Sequence, residues 1–351
     1  MGLELVRAVC AGGEASALAT ILQVQGSSPR HPGAKMLAGA SGRLAGTVGG
    51  GRGEAMALEA CRRALASGTC ERLKVEMVGG DVIGTDMVCG GVTTQLIEPL
   101  GDLAPYRTAL ERLEAGERVL LVKRLRGGEA GPAQVEVALL DEAGRALHGR
   151  AEAAEAPAAA RALDRGQAHL DPDTGVFYDP LLPQEKLLIL GAGHVGQALA
   201  ALAPALGFAV TVVDDRPEFL AETRLPEGVR AVHAGFAQAI AGFPFDSATY
   251  VVVVTRGHQS DLQCVRAVLG RRYRYAGFMG SARKTRLILE QMRAEGFDPD
   301  QVAALCGPIG LDIAAETPQE LAVAILGEVV AVRRHAPILA ALNQAREGRR
   351  A

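Results

Sequence analysis

Residues 187–200 read LLILGAGHVGQALA. Four aliphatic residues run into a glycine-rich turn, and the remainder reads as the start of a helix. Gly191, Gly193 and Gly196 fall on the GxGxxG spacing. In such a turn the first glycine permits the tight bend, the second lets a phosphate approach the backbone, and the third lets helix and strand pack closely. The helix N-terminus, beginning near His194, then offers unpaired N–H groups to an anion. Asp214 and Asp215 close the next apolar run, AVTVVDD, near the distance expected of a carboxylate that holds a ribose hydroxyl. The turn is compatible with NAD(P), with another nucleotide, or with no ligand, because a fold does not fix its chemistry.

Working outward, KLLILG, AVTVVDD, VRAVHAG, ATYVVVVTRG and YRYAGFMG read as short strands. Helical stretches such as 260–272 and 283–296 alternate with them. This pattern implies a Rossmann-like, doubly wound parallel sheet covered on both faces. Loops after the strands of such a sheet meet at one edge. Here they carry His194, Asp214, Asp215, Arg256, His258, Asp261, Ser281, Arg283 and Lys284. His258 and Asp261 suit a metal or a proton relay; equally, Asp261 caps a helix and His258 is solvated. Ser281, Arg283 and Lys284 form a small-residue turn with two cations at a helix start, which suits a phosphate or a solvated basic helix end. Thr317, Pro318 and Glu320 spell a capping box for a last long helix.

The bulk numbers set the bounds. The chain has 351 residues, 48% hydrophobic and 22% charged, with no Trp, so it is an ordinary globular composition with an aliphatic core. A net charge of −3 gives no reason to expect nucleic acid or an anionic membrane as partner. The apolar run 321–332 contains Glu328 and is too short to span a bilayer. The N-terminus lacks the pattern of a signal peptide. The six cysteines show no CxxC and no zinc spacing, as in a reduced, cytoplasmic protein.

The expected organisation is an N-terminal α/β domain over 1–100, a connecting strand-rich region and linker over 101–185, the Rossmann-like domain over 186–335, and a tail over 336–351. The first hundred residues contain a second strand, glycine turn and helix, GTVGGGRGEA (46–55). GSSPRHPGAKM (26–36) supplies Ser27, Ser28, Arg30 and Lys35, and DMVCGG (86–91) supplies Cys89 beside two glycines. A thiol beside cations ionises more readily and can ligate a soft metal; alternatively, a lone cysteine is a small buried hydrophobe.

Taken with LGAGHVGQALAALAPALGFAVTVVDDRPEF, TRGHQSD, YAGFMGSARK and PIGLDIAAETPQELAVAI, these stretches make the chain resemble the xanthine dehydrogenase accessory protein family, XdhC/CoxI. The likeness runs from about residue 16 to 333. It implies an N-terminal accessory domain followed by a Rossmann-like domain. It also implies a maturation factor with no catalytic residue of its own. Such a factor binds the molybdenum cofactor, protects it while a cysteine desulfurase partner installs its terminal sulfur, and passes it to a molybdenum hydroxylase such as xanthine dehydrogenase. Ser27, Ser28, Arg30, Lys35, Gly49, Gly50 and Gly51 are then expected to hold the cofactor, with Cys89 near the metal. Gly191, Gly193, His194, Gly196, Asp214, His258, Ser281, Arg283 and Lys284 are expected to receive a nucleotide or the nucleotide part of the cofactor. Some relatives, especially CoxI-like ones, have Cys directly after the glycine triplet. Arg52 stands there in this chain, which favours the XdhC-like branch and leaves Cys89 as the motif cysteine. A carrier that meets two partners is compatible with a homodimer. Two other functions fit the motifs: an NAD(P)-dependent oxidoreductase using His258 or His194 as proton donor, with Asp214 favouring NAD, and a nucleotide-sensing regulatory module.

Overall fold

A computed structural model describes residues 2–11, 14–76, 91–127, 130–220 and 225–350. The chain divides into two compact units, Met1–Pro183 and Gln184–Ala351.

The first unit is built on a ten-stranded sheet. Its strands are β1 (Ser16–Gln25), β2 (Lys35–Gly39), β3 (Gly42–Gly46), β4 (Cys70–Glu76), β5 (Val92–Pro99), β6 (Val119–Gly127), β7 (Gly131–Leu140), β8 (Ala146–His148), β9 (His169–Asp171) and β10 (Val176–Leu181). Its helices are α1 (Leu3–Cys10), α2 (Gly51–Ser67), α3 (Ala104–Glu114) and α4 (Ala156–Arg165). The strand order is β3-β2-β1-β5-β4-β7-β6-β10-β9, with β8 beside β7, and the pairings are antiparallel. Residues 101–185, read from sequence as a connecting strand-rich region and linker, contribute five strands to the sheet begun by β1–β5, joined through β4 and β7 at Cys70↔Ala133.

Side-chain alternation explains how both faces are covered. Ala17, Ala19, Ile21, Met36, Ala38 and Ile97 pack under α2, which meets them with Ala57, Ala60, Cys61 and Ala64. The buried stripe of α2 is therefore mostly alanine, while Leu58 and Leu65 lie at its margin. The opposite face, with Leu18, Leu37, Leu121 and Leu181, meets α1 and α3. Charge is sealed within this core: Lys35 pairs with Asp179, and Lys123 on β6 pairs with Glu98 on β5.

The second unit is a parallel sheet of β11 (Lys186–Leu190), β12 (Ala209–Asp214), β13 (Arg230–His233), β14 (Thr249–Val253) and β15 (Tyr275–Phe278), in the order β13-β12-β11-β14-β15. Its helices are α5 (His194–Leu202), α6 (Phe236–Gly242), α7 (His258–Val268), α8 (Ala282–Ala294), α9 (Pro299–Ala304), α10 (Pro318–Arg334) and α11 (Ile338–Arg350). One apolar layer sets Leu187, Ile189 and Val252 against Leu199 of α5 and Ile325 of α10. The other sets Leu188, Leu190 and Val251 against Ile240, Val265, Ile288 and Val302. This is the doubly wound Rossmann arrangement, and its strand order reverses between β11 and β14. The helix after the glycine turn ends at Leu202, because Pro204 cannot donate to the helical ladder and a tight turn follows. The capping box of α10 forms as read: Thr317 accepts from the Glu320 amide, and the Glu320 carboxylate accepts from the Thr317 amide. Among the described residues no helix is long and apolar enough to cross a membrane.

Candidate functional site

The three glycines of the Rossmann turn have three distinct surroundings. Gly191 has φ +112°, and a Cβ there would lie 2.5 Å from the carbonyl oxygen of Val254. A Cβ on Gly196 would lie 1.9 Å from the Gly191 oxygen. Both positions therefore exclude a side chain, one at the bend and one at the helix–strand contact. Gly193, the residue capping α5, has open space where a side chain would stand. A ligand atom can approach its backbone. Gly257, which caps α7 on the other side of the strand-order reversal, is open in the same way.

The polar residues of this edge fall into two groups. Asp214 is buried, and its carboxylate accepts four hydrogen bonds. Oδ2 takes the Ala192 amide at 2.7 Å and Arg216 Nη2 at 3.0 Å. Oδ1 takes the Arg216 amide at 3.0 Å and Arg216 Nε at 2.8 Å. Burial alone would raise this carboxyl, but the Arg216 side chain and the two amides hold it below the usual carboxylate range. Asp261, also buried, accepts from Thr255 Oγ1 at 2.5 Å and from Lys284 Nζ. Ser281 Oγ caps α8 by accepting from the Lys284 amide at 3.2 Å. Lys284 is thus held by a carboxylate, and Asp261 ties the loop after β14, through Thr255, to the first turn of α8, through Lys284. His194, His258 and Arg283 lie at the surface. His258 and Asp261, close in sequence, do different things: Asp261 turns inward and His258 is exposed. His194 lines a mainly apolar groove of about 580 Å³ with Ala198, Leu202, Ile313 and Val323.

In the first unit, three motif segments come together. A Cβ on Gly49 would sit 3.1 Å from Pro29 Cγ and 3.8 Å from Arg30 Cγ, so the glycine triplet lies against the loop after β1. Gly91, the last residue of DMVCGG, is held so closely that a Cβ would fall 2.1 Å from the Ser27 carbonyl oxygen. Ser27 and Arg30 are exposed, Ser28 is half-buried, and Ser28 Oγ accepts from the Arg30 amide at 3.4 Å. Gly50 and Gly51 have φ +77° and +58° with open space beside them, and they lead into α2. Arg52 is exposed in the first turn of that helix.

Two features of this site were not visible in the motif spacing. Glu54 reaches back over the helix N-terminus, where its carboxylate accepts from Thr47 Oγ1 and from the Gly50 amide at 3.3 Å. Arg43 approaches the same carboxylate at 3.4 Å. Lys35 is completely buried: Nζ meets Asp179 at 2.7–2.8 Å and donates to the Gly33 carbonyl at 2.9 Å. It ties the loop to the core and does not stand on its surface beside Arg30. Cys89 lies outside the described residues. Burial pushes the thiols of Cys61 and Cys70 up to about 11, so neither supplies a thiolate near neutral pH. Among the described residues no cluster of three or more His, Cys, Asp or Glu is placed to hold a metal.

Comparison with known proteins connects both units to one family. The XdhC and CoxI family matches residues 9–76, and the XdhC Rossmann domain matches residues 187–329. A Bacillus subtilis protein described as a probable subunit of xanthine dehydrogenase is 28% identical over 334 residues, covering 93% of this chain and 96% of that protein. The Escherichia coli K12 molybdenum cofactor insertion chaperone PaoD is 24% identical over 323 residues, covering 92% of this chain and 85% of PaoD. The E. coli K12 protein YqeB, itself uncharacterized, is 26% identical over 324 residues; this chain aligns over 92% of its own length and spans only 44% of YqeB. A Bacillus halodurans crystal structure described as a xanthine dehydrogenase superposes with a TM-score of 0.75 at 25% identity, covering 95% of this chain and 96% of that one. The chain belongs to the XdhC and CoxI family, with the family's Rossmann domain as its second unit.

Proposed function

We propose that this protein is an accessory factor in the maturation of a molybdenum hydroxylase of the xanthine dehydrogenase type. In this reading it takes up the molybdenum cofactor as cargo and hands it to the apo-enzyme in the cytoplasm. A cysteine desulfurase acts on the cargo while it is held. The names of the B. subtilis relative and of PaoD support the class of function.

The observation that carries the reading is the apposition of the Ser27–Arg30 loop, the Gly49–Gly51 triplet and Gly91. The cargo is a pterin with a phosphate end and a dithiolene-bound metal. Open space beside Gly51, with the exposed Arg30 and Arg52 near it, suits that anionic end, and Glu54, which holds the Gly50 amide, is the group such an anion would displace. Lys35 contributes by fixing Gly33 at the far end of the loop. Cys89 is the thiol we assign to the neighbourhood of the metal or its sulfur. In the second unit, the open backbone at Gly193 and Gly257 suits a second phosphate, that of a nucleotide or of a nucleotide-extended cofactor. Carriage fits better than hydride transfer, because Asp214 is already saturated by groups of the protein itself.

The test is co-elution of isolated molybdenum cofactor with the purified protein. Wild type is expected to retain the cofactor, and Arg30→Ala and Cys89→Ala to retain less. Absence of retention by wild type, together with a fully active partner hydroxylase in cells lacking the protein, would refute the reading.

A further inference from the structure

We propose that Arg216 closes the ribose seat of the Rossmann unit, so that this unit selects its ligand by a phosphate end and gains no affinity from a free ribose diol. The inference rests on the reading above, in which the Gly191–Gly196 turn receives a phosphate.

In dinucleotide-binding sheets, the carboxylate that ends the second strand accepts hydrogen bonds from the ribose hydroxyls. Asp214 occupies that place at the end of β12. A carboxylate has about four lone-pair positions. All four are taken here: one by the Ala192 amide, one by the Arg216 amide, and two by the Arg216 guanidinium through Nε and Nη2. The two guanidinium bonds lie one on each oxygen, which is the pattern a vicinal diol would make. Arg216 therefore sits on its own neighbour as a substitute for the sugar.

The substitute is well held. The guanidinium carbon lies 3.9 Å from the centroid of the Phe219 ring, and the side chain is only 19% exposed. Asp215, half-exposed, keeps an oxygen 3.7 Å from Arg216 Nε. Arg216 is thus flanked by two carboxylates and a ring, an arrangement that neither frees Asp214 for a diol nor offers a net positive seat for a ribose phosphate. The bond from Asp214 to the Ala192 amide fixes the bend of the glycine turn itself. The turn is organised without a nucleoside, and its open backbone at Gly193 remains available to a phosphate.

Titration calorimetry of the intact protein with pyrophosphate and with NAD+ tests this. Wild type is expected to bind the two with comparable affinity, since the nucleoside adds no contact at Asp214. Arg216→Ala removes both side-chain bonds and frees one position on each oxygen. It is expected to bind NAD+ on the order of tenfold tighter, because two hydrogen bonds to a charged acceptor are regained, while pyrophosphate is unaffected. Arg216→Lys, a point donor that cannot fork, is expected to show a smaller gain. If pyrophosphate binding is lost in Arg216→Ala alone, Arg216→Lys carries the comparison. NAD+ binding far tighter than pyrophosphate in wild type, or no gain in the variants while pyrophosphate still binds, overturns the inference and leaves the phosphate reading intact. If pyrophosphate binds to none of the three proteins, the phosphate reading fails and this inference fails with it.

Discussion

Replacing Asp179 by Asn should expose the energetics of the sealed charge beneath the Ser27–Arg30 loop. The substitution keeps the shape and removes the charge. Lys35 and Asp179 both have no solvent exposure, so the ammonium left behind cannot be hydrated. Burial already pulls the Lys35 ammonium below its usual range, against the attraction of Asp179. Without Asp179 the folded state escapes an unpaired buried charge by releasing the proton. The cost is then set by titration: against an ordinary lysine near 10.4, deprotonation costs about 4–5 kcal/mol at pH 7 and about 2 kcal/mol at pH 9. The sign follows from proton counting. The unfolded chain holds the Lys35 proton and the folded variant does not, so the variant gains stability as pH rises towards the unfolded value. A loss of this size at pH 7 lowers the melting point of the first unit by roughly 10–15 °C. Urea unfolding at the two pH values, followed by far-UV circular dichroism because the chain has no Trp, measures both numbers. The double variant Lys35→Met with Asp179→Leu should recover most of the loss, since a buried ion pair is often replaced by apolar groups at little cost. A single-variant loss below about 1 kcal/mol at pH 7, or one that does not shrink at pH 9, would refute the reasoning.

Three further outcomes are expected. Glu54→Gln removes the carboxylate from the N-terminus of α2, so pyrophosphate should bind the first unit severalfold more tightly by calorimetry, with a helix-end loss of about 0.3–1 kcal/mol. Gly196→Ala drives a methyl into the Gly191 carbonyl and should prevent native folding of the second unit, whereas Gly193→Ala should fold normally and lose phosphate affinity; circular dichroism and titration separate the two. Asp179 and Asp214 are both held below the usual carboxylate range, so the unfolded chain takes up their protons first. The stability they contribute is present above about pH 4 and is lost as pH falls through that region, which urea midpoints between about pH 5 and 3 will follow.

The second unit was largely legible in the sequence because its signals are local. The glycine spacing at 191–196 fixes a bend, a ligand approach and a helix contact within six positions, and the structure shows three matching surroundings. The Thr317–Glu320 box is equally local. What escaped depends on which way a side chain turns, or on partners distant in sequence. Lys35 reads as a surface cation in a polar loop, but it begins a strand, faces inward, and finds Asp179 a hundred and forty-four positions later. Arg216 and Glu54 lie within a few residues of their motifs, yet spacing gives no sign that each reaches back to occupy the place where a ligand anion or sugar would be expected.

The shared sheet of the first unit also bears on how the protein is made. Lys35 enters the growing chain long before its partner Asp179. At bacterial or slower elongation rates, the stretch from residue 100 to the end of β10 takes about 4–16 s to appear. Lys123 follows Glu98 by 25 residues, whereas Asp179, which neutralises Lys35, arrives only with β10, so the buried pair beneath the Ser27–Arg30 loop is completed last.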